Sequence, residues 1–279
     1  MAIKLKKSVL VLKKRLMNNI KRPEMRILPG QLSFFLLLTL IPLTALFGNL
    51  ISLLDLPYYS ISDVLNEFFP KGTAGLLDII SVKVDLNFNM VIFFASSLFL
   101  ASNLTHSMIL ASNQIYMIND RSYIKRRLKA LLMLLIVIVL LVFMLFIPVF
   151  GDMIFESIKF IDNTSRLRIT LVAGYRILKY PLSIIFIYFL IKILYIMAPD
   201  KKIERSNVVY GSLFTSVAWV VLTQVYSVYV ENFTNYNTFY GGVSSILILM
   251  LWLYLLSYIF VLGMALNVTK YEMDSNKVF

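Results

Sequence analysis

Six stretches of this chain are apolar over about 20 residues or more, the length a helix needs to cross the hydrocarbon core of a bilayer. They run from about Leu28 to Leu54, Asn89 to Tyr116, Ala130 to Phe150, Ile177 to Ala198, Val208 to Val230 and Val243 to Val268. Lipid offers no partner to a backbone N–H or C=O, so runs of this length must satisfy their own peptide groups as helices. Composition closes off the alternative of one large soluble core. Of the 279 residues, 59% are hydrophobic and only 15% charged, whereas a soluble domain carries about 25% charged residues. The same figures exclude a disordered chain, and the absence of cysteine excludes a disulfide scaffold or a thiolate site. The expected fold class is all-α: a polytopic membrane protein with six transmembrane helices. The first span, behind a polar lead of 27 residues, reads as a retained anchor rather than a cleaved signal.

Charge sets the expected orientation. Lys and Arg number nine before the first span, five between spans two and three, three between four and five, and two after six. The opposite loops hold only five, and three more belong to the fourth segment. Positive loops stay inside, which places both termini in the cytoplasm and makes the formal +12 mainly a topology signal. A nucleic-acid surface is the rival reading of so basic a chain, and the alternation of charge across loops displaces it. The domains follow: 1–27 a cytoplasmic basic amphipathic segment, 28–268 the transmembrane domain, and 269–279 a cytoplasmic tail.

Between the spans, two segments carry helical spacing. Val9, Leu12, Leu16 and Ile20 share a face, with Lys6, Lys7, Lys13, Lys14 and Arg15 around them; this suits an anionic leaflet, or simply orients the first span. In the outer loop of about 55–87, Ile61, Val64, Leu65 and Phe68 form one short apolar face and Leu76, Leu77, Ile80 and Val84 another. Pro70–Lys71–Gly72 breaks the chain between them.

The spans differ in polarity. The third has no polar side chain from Ala130 to Phe150, as a helix facing lipid can afford. The fifth gathers Ser212, Thr215, Ser216, Trp219, Thr223, Tyr226 and Ser227 on one face, and the second gathers Ser96, Asn103, His106, Ser107 and Asn113. Polar groups in hydrocarbon must be paired or wetted, so both faces should point inward, for helix–helix hydrogen bonding or to line a water-accessible cavity. Asn103, His106, Ser212, Ser216, Trp219 and Thr223 are the candidate lining residues.

Charge at membrane depth falls on the fourth segment, with Arg176, Lys179 and Lys192. Arg176 and Lys179 share a face near its outer end, while Lys192 shares one with Tyr188 and Tyr195 toward the inner end. Snorkelling accounts for all three; so does an anionic ligand, since the spans hold no carboxylate to oppose them. Arg176, Lys179, Lys192, Tyr188 and Tyr195 are therefore the candidate ligand-binding set. His106 is the sole histidine, too little for zinc and with no acid beside it in sequence for triad chemistry. No catalytic residue, metal site or cofactor is expected.

The motifs in order along the chain resemble the YihY family, also called the virulence factor BrkB family. Leu32–Ser33–Phe34–Phe35 followed by Leu38–Thr39–Leu40–Ile41–Pro42 is similar to its first-span signature, and Asn113–Gln114–Ile115–Tyr116 to the end of its second. Arg176, Pro181, Tyr195 and Pro199 resemble its fourth, and Tyr240–Gly241–Gly242 running into Leu251–Trp252–Leu253–Tyr254 and Leu262–Gly263 its sixth. The resemblance implies six transmembrane helices, cytoplasmic termini, a bacterial plasma membrane, and a role as a transporter or in envelope lipid export. It also brings an older ribonuclease BN label that these residues do not support. One position departs: where the family shows Gly-Ala-Glu-Leu-Asn, this chain has Gly263–Met264–Ala265–Leu266–Asn267, without the carboxylate.

The functional expectation is a non-enzymatic bacterial plasma-membrane transporter or translocator of an anionic amphiphile, a phospholipid or lipid-linked phosphate. Anionic membrane lipids are the expected partners, nucleic acid is not, and a protein partner or homo-oligomer stays open. The alternative is an envelope scaffold docking a partner through the outer loop at Asp63 or Glu67; a membrane-associated enzyme comes last.

Overall fold

The computed structural model describes residues 14–53, 88–119, 122–158, 181, 184–232 and 244–275, and the regular structure among them is entirely helical. A short helix α1 (14–20) turns at 21–23 into α2 (Glu24–Leu53). Then come α3 (Phe88–Tyr116), α4 (Tyr123–Ile158), α5 (Ile184–Met197), α6 (Val209–Asn232) and α7 (Ser244–Ser275). Each of the six predicted apolar segments overlaps one of the helices α2–α7.

Local chemistry explains the boundaries. Glu24 in the first turn of α2 complements the positive end of the helix dipole. At the other end of α3, Met117 takes a left-handed conformation (φ 53°). Its N–H reaches Gln114 O at 3.2 Å, and the N–H of Ile118 reaches Asn113 O at 2.9 Å. Those two bonds satisfy carbonyls that the ended helix would leave bare. Helix α5 stops at Met197, two residues before Pro199, because a proline disfavours helical geometry in the residue preceding it.

The bundle is organised about α7, which packs against α2, α6 and α3, while α3 packs against α2 and α4. Leu28 and Leu32 of α2, Ile109 of α3, Ile191 of α5, and Phe260, Val261 and Met264 of α7 meet in one core. A second, between α6 and α7, holds Tyr226, Val230, Ile248, Leu249 and Trp252. Among the described residues α4 packs chiefly on α3, in keeping with the peripheral position its apolar sequence predicts.

The outward faces carry large apolar side chains at helical spacing: Ile124, Leu128, Leu132, Leu135 and Val139 on α4, and Leu213, Val217, Val221, Val225 and Val228 on α6. Water would not tolerate stripes of that extent on a monomer; acyl chains would. Among the described residues Phe94–Tyr116, Val209–Val230 and Ile246–Ser275 are long and apolar enough to cross a membrane, and Ile184–Met197 is a shorter apolar helix.

Helices α4 and α7 run furthest past the sequence-derived limits. α4 begins at Tyr123, seven residues ahead of Ala130, and so takes Lys125, Arg126, Arg127 and Lys129 into the helix. α7 continues through Thr269 to Ser275. The outer loop of 55–87, with Asp63 and Glu67, lies outside the described residues, as do residues 1–13.

Candidate functional site

The polar faces point inward. On α6, Ser212, Thr215 and Ser216 are fully buried and Tyr226 nearly so, with Trp219 and Thr223 half-buried toward α7. On α3, Ser107 and Asn113 are buried, Asn103 and His106 half-buried, and Ser96 exposed. Much of this polarity joins helices. Trp219 Nε1 donates to Leu256 O at 2.9 Å and Trp252 Nε1 to Thr223 Oγ1 at 3.3 Å, while Thr223 Oγ1 itself returns to Trp219 O of its own helix at 2.9 Å. Ser212 Oγ and Ser216 Oγ return to carbonyls of their own helix, Val208 and Leu213. The ring of His106 meets that of Tyr123 edge-on at 5.8 Å.

The α6–α7 crossing is closest at Gly211 and Gly263. A Cβ on Gly211 would strike Gly263 O and the Asn267 side chain; one on Gly263 would strike Thr215 Oγ1 and the Tyr195 hydroxyl. Asn267 Oδ1 accepts from the N–H of Gly211 at 2.9 Å, one of the four donors that a helix N-terminus leaves unpaired. Ala265, where the resembled family has glutamate, is completely buried beside this crossing.

Of the candidate ligand set, Arg176 and Lys179 lie outside the described residues. Lys192 and Tyr188 come together: the half-buried ammonium sits 5.3 Å from the ring centroid, within cation–π range. Tyr195 does not join them. Its hydroxyl is buried in the bundle, 2.7 Å from Thr215 Oγ1 and donating to Phe260 O at 2.7 Å.

Three polar joints escape a reading by loops. In the first, Asp200, buried in the turn after α5, receives Lys129 Nζ at 2.9 Å and Asn113 Nδ2 at 2.8 Å, while its own N–H donates to Asn113 Oδ1. In the second, Asn19 Nδ2 donates to Thr269 Oγ1 at 3.0 Å, and Arg22 reaches both Ile115 O and Glu272, so that α1 is clasped to the ends of α3 and α7.

The third joint is Arg127. Only 8% exposed, it donates from Nη1 to Asn103 Oδ1 at 2.8 Å and from Nη2 to Phe99 O at 2.7 Å, with its guanidinium 3.9 Å from the Phe99 ring centroid. Loop counting assigns Arg127 to a cytoplasmic connection. The signal that would have found it is the helical period, which sets Arg127, Ala130 and Leu134 on one buried face.

Inward polar edges, outward apolar stripes and spans of membrane length define a multi-pass integral membrane protein. The profile of the virulence factor BrkB family matches residues 16–277. The chain belongs to that family of bacterial membrane proteins. It is 27% identical to YfkH of Bacillus subtilis, which carries a ribonuclease-like name, over 85% of this chain and 87% of that protein. It is 31% identical to a UPF0761 membrane protein of Vibrio vulnificus over 25% of this chain and 22% of the other, and 26% identical to one of Idiomarina loihiensis over 33% and 32%. No solved structure matches it.

Proposed function

We propose that this protein is a non-enzymatic plasma-membrane translocator of an anionic amphiphile, a phospholipid or lipid-linked phosphate, with both termini in the cytoplasm. The reading rests chiefly on Lys192. Its ammonium is half-buried within the apolar helix α5, and its partner among the described residues is the ring of Tyr188 rather than a carboxylate. An unneutralised cation at that depth favours a negatively charged guest. The inward edges of α3 and α6 supply hydroxyl, amide and indole groups beside which such a headgroup could move while its acyl chains stay in lipid. Charge asymmetry between loops supports the orientation.

The test is lipid movement in proteoliposomes. Replacing Arg176, Lys179 and Lys192 together by Gln is expected to abolish the protein-dependent transfer of a labelled phosphatidylglycerol between leaflets; unchanged rates would remove the proposal. Because the chain has no cysteine, single cysteines introduced at either end report orientation directly. Both should resist a membrane-impermeant thiol reagent in intact cells.

A further inference from the structure

We infer that Arg127, with Asn103, holds a phosphate-bearing lipid headgroup in the seam between α3 and α4. The inference deepens the translocator reading and rests on it for the choice of an amphiphile.

A guanidinium carries its charge at any accessible pH. The two acceptors it has here, Asn103 Oδ1 and Phe99 O, are neutral. They satisfy two of five N–H groups and none of the charge. Arg127 Nε is buried with no hydrogen-bond partner, and no carboxylate among the described residues pairs with this side chain. Burying one ion without its counter-ion is among the costlier arrangements in a protein, and a membrane raises the cost.

Snorkelling does not relieve it, since a snorkelling side chain keeps its head in water and this one is turned against Phe99 and Asn103. Those residues lie inside the apolar span Phe94–Tyr116, Phe99 being about 8 Å from its nearer end at Phe94, at roughly 1.5 Å per residue.

The geometry fits an oxyanion. The Phe99 ring fixes the guanidinium plane, Asn103 Oδ1 holds one edge, and Nε–H remains as a donor. With its Oδ1 engaged by Arg127, the amide of Asn103 also carries the Nδ2 donor pair. Lys125, exposed on the same stretch of α4, adds positive potential. Around the seam Phe99, Tyr123, Ile124 and Leu128 are 52%, 59%, 71% and 63% exposed, an apolar border on which acyl chains can lie while the phosphate reaches Arg127 and Asn103. That border favours a lipid over free phosphate.

The experiment uses the full chain in detergent, with lipid binding measured by native mass spectrometry and by the shift in Tm. Phosphatidylglycerol and phosphatidic acid should bind and raise Tm, and zwitterionic phosphatidylcholine should not. Arg127→Gln should weaken phosphatidylglycerol binding by about tenfold or more, as the loss of charge-assisted hydrogen bonds implies. Arg127→Lys should fall between, and Asn103→Ala should weaken it by a few-fold. Inorganic phosphate that fails to compete supports a lipid as occupant; phosphate that competes at millimolar concentration overturns that assignment. A wild-type Tm that responds equally to all lipids, or equal affinity in a folded Arg127→Gln variant, overturns the site. Should Arg127→Gln not fold, the wild-type shift and Asn103→Ala decide. Arg127-dependent binding without lipid movement in vesicles would keep the site and remove the translocator reading, whereas movement that survives Arg127→Gln would do the reverse.

Discussion

Lys129 Nζ and Asp200 Oδ1 stand 2.9 Å apart, tying α4 to the turn that follows α5. The same ammonium donates to Ala198 O and Pro199 O, carbonyls just past the C-terminus of α5, where the helix dipole favours a cation. The Asp200 side chain is 1% exposed, so removing the Lys129 ammonium takes a cation from beside a buried carboxylate. Lys129→Met is therefore expected to destabilise the protein by about 3 kcal/mol. Asp200→Asn, which keeps an oxygen for the ammonium, should cost less. Unfolding titrations in mixed micelles measure both; an unshifted midpoint for Lys129→Met would show that the ion pair adds nothing.

Glycines on two helices separate packing from propensity. At Gly263 any side chain meets Thr215 Oγ1 and the Tyr195 hydroxyl, whereas a Cβ on Gly30 meets nothing within 4 Å. Close approach of small residues is a principal source of helix association in lipid. Gly263→Ala should lower the unfolding midpoint, and Gly263→Leu should prevent a folded bundle from being recovered. Gly30→Ala, in the interior of α2, should raise stability by up to about 1 kcal/mol. Melting curves of the three variants in one detergent check the ordering, and Gly30→Ala serves as the control for helix propensity.

At the end of α3, Met117 holds a left-handed φ of 53° with its side chain 75% exposed. An L-residue with a Cβ pays roughly 1 kcal/mol there, and glycine does not. Met117→Gly should stabilise the protein by up to about that amount while leaving the helix-ending bonds from residues 117 and 118 in place. Hydrogen exchange of those two amides, together with the unfolding midpoint, tests it; a lower midpoint would mean that the Met117 side chain contributes more than its strain.

The six-segment pattern and the inward edges of α3 and α6 were legible because lipid imposes one rule, that apolar faces turn out and polar ones in, and a 3.6-residue period records it. Arg127 and Asp200 were not. Both sit in stretches whose charge is read by loop counting as a sign of topology, and a count of loop charges is blind to which charge is drawn back between helices. Lys192 and Tyr195 show the same limit on a finer scale: three positions apart, they share a broad face on a helical wheel. Only packing decides that the lysine stacks on Tyr188 and the tyrosine enters the core. The motif Asn113–Gln114–Ile115–Tyr116 marked the end of a span by resemblance. What it does there needed the structure: Asn113 grips Asp200, Ile115 O receives Arg22, and Tyr116 meets the Tyr271 ring at 5.8 Å.

The division between Lys192 and Tyr195 yields a prediction in which stability and transfer are lost separately. Tyr195 is buried, and its hydroxyl bridges Thr215 and the Phe260 carbonyl. Tyr195→Phe should cost about 1 kcal/mol, the scale of an interhelical hydrogen bond in a membrane, and leave lipid transfer per folded molecule within about twofold, a barrier change of about 0.4 kcal/mol, because the hydroxyl is held in the core by Thr215 and Phe260 O rather than beside Lys192. Among the described residues Lys192 meets the Tyr188 ring, an interaction of about 0.5–1 kcal/mol. Lys192→Gln should therefore shift unfolding little while lowering transfer of phosphatidylglycerol, and Lys192→Arg, which keeps the charge and the stacking, should restore most of it. Proteoliposome transfer rates normalised to folded protein, set beside the unfolding midpoints, read both quantities. A Lys192→Gln variant that loses stability but keeps its rate would reassign the lysine to packing.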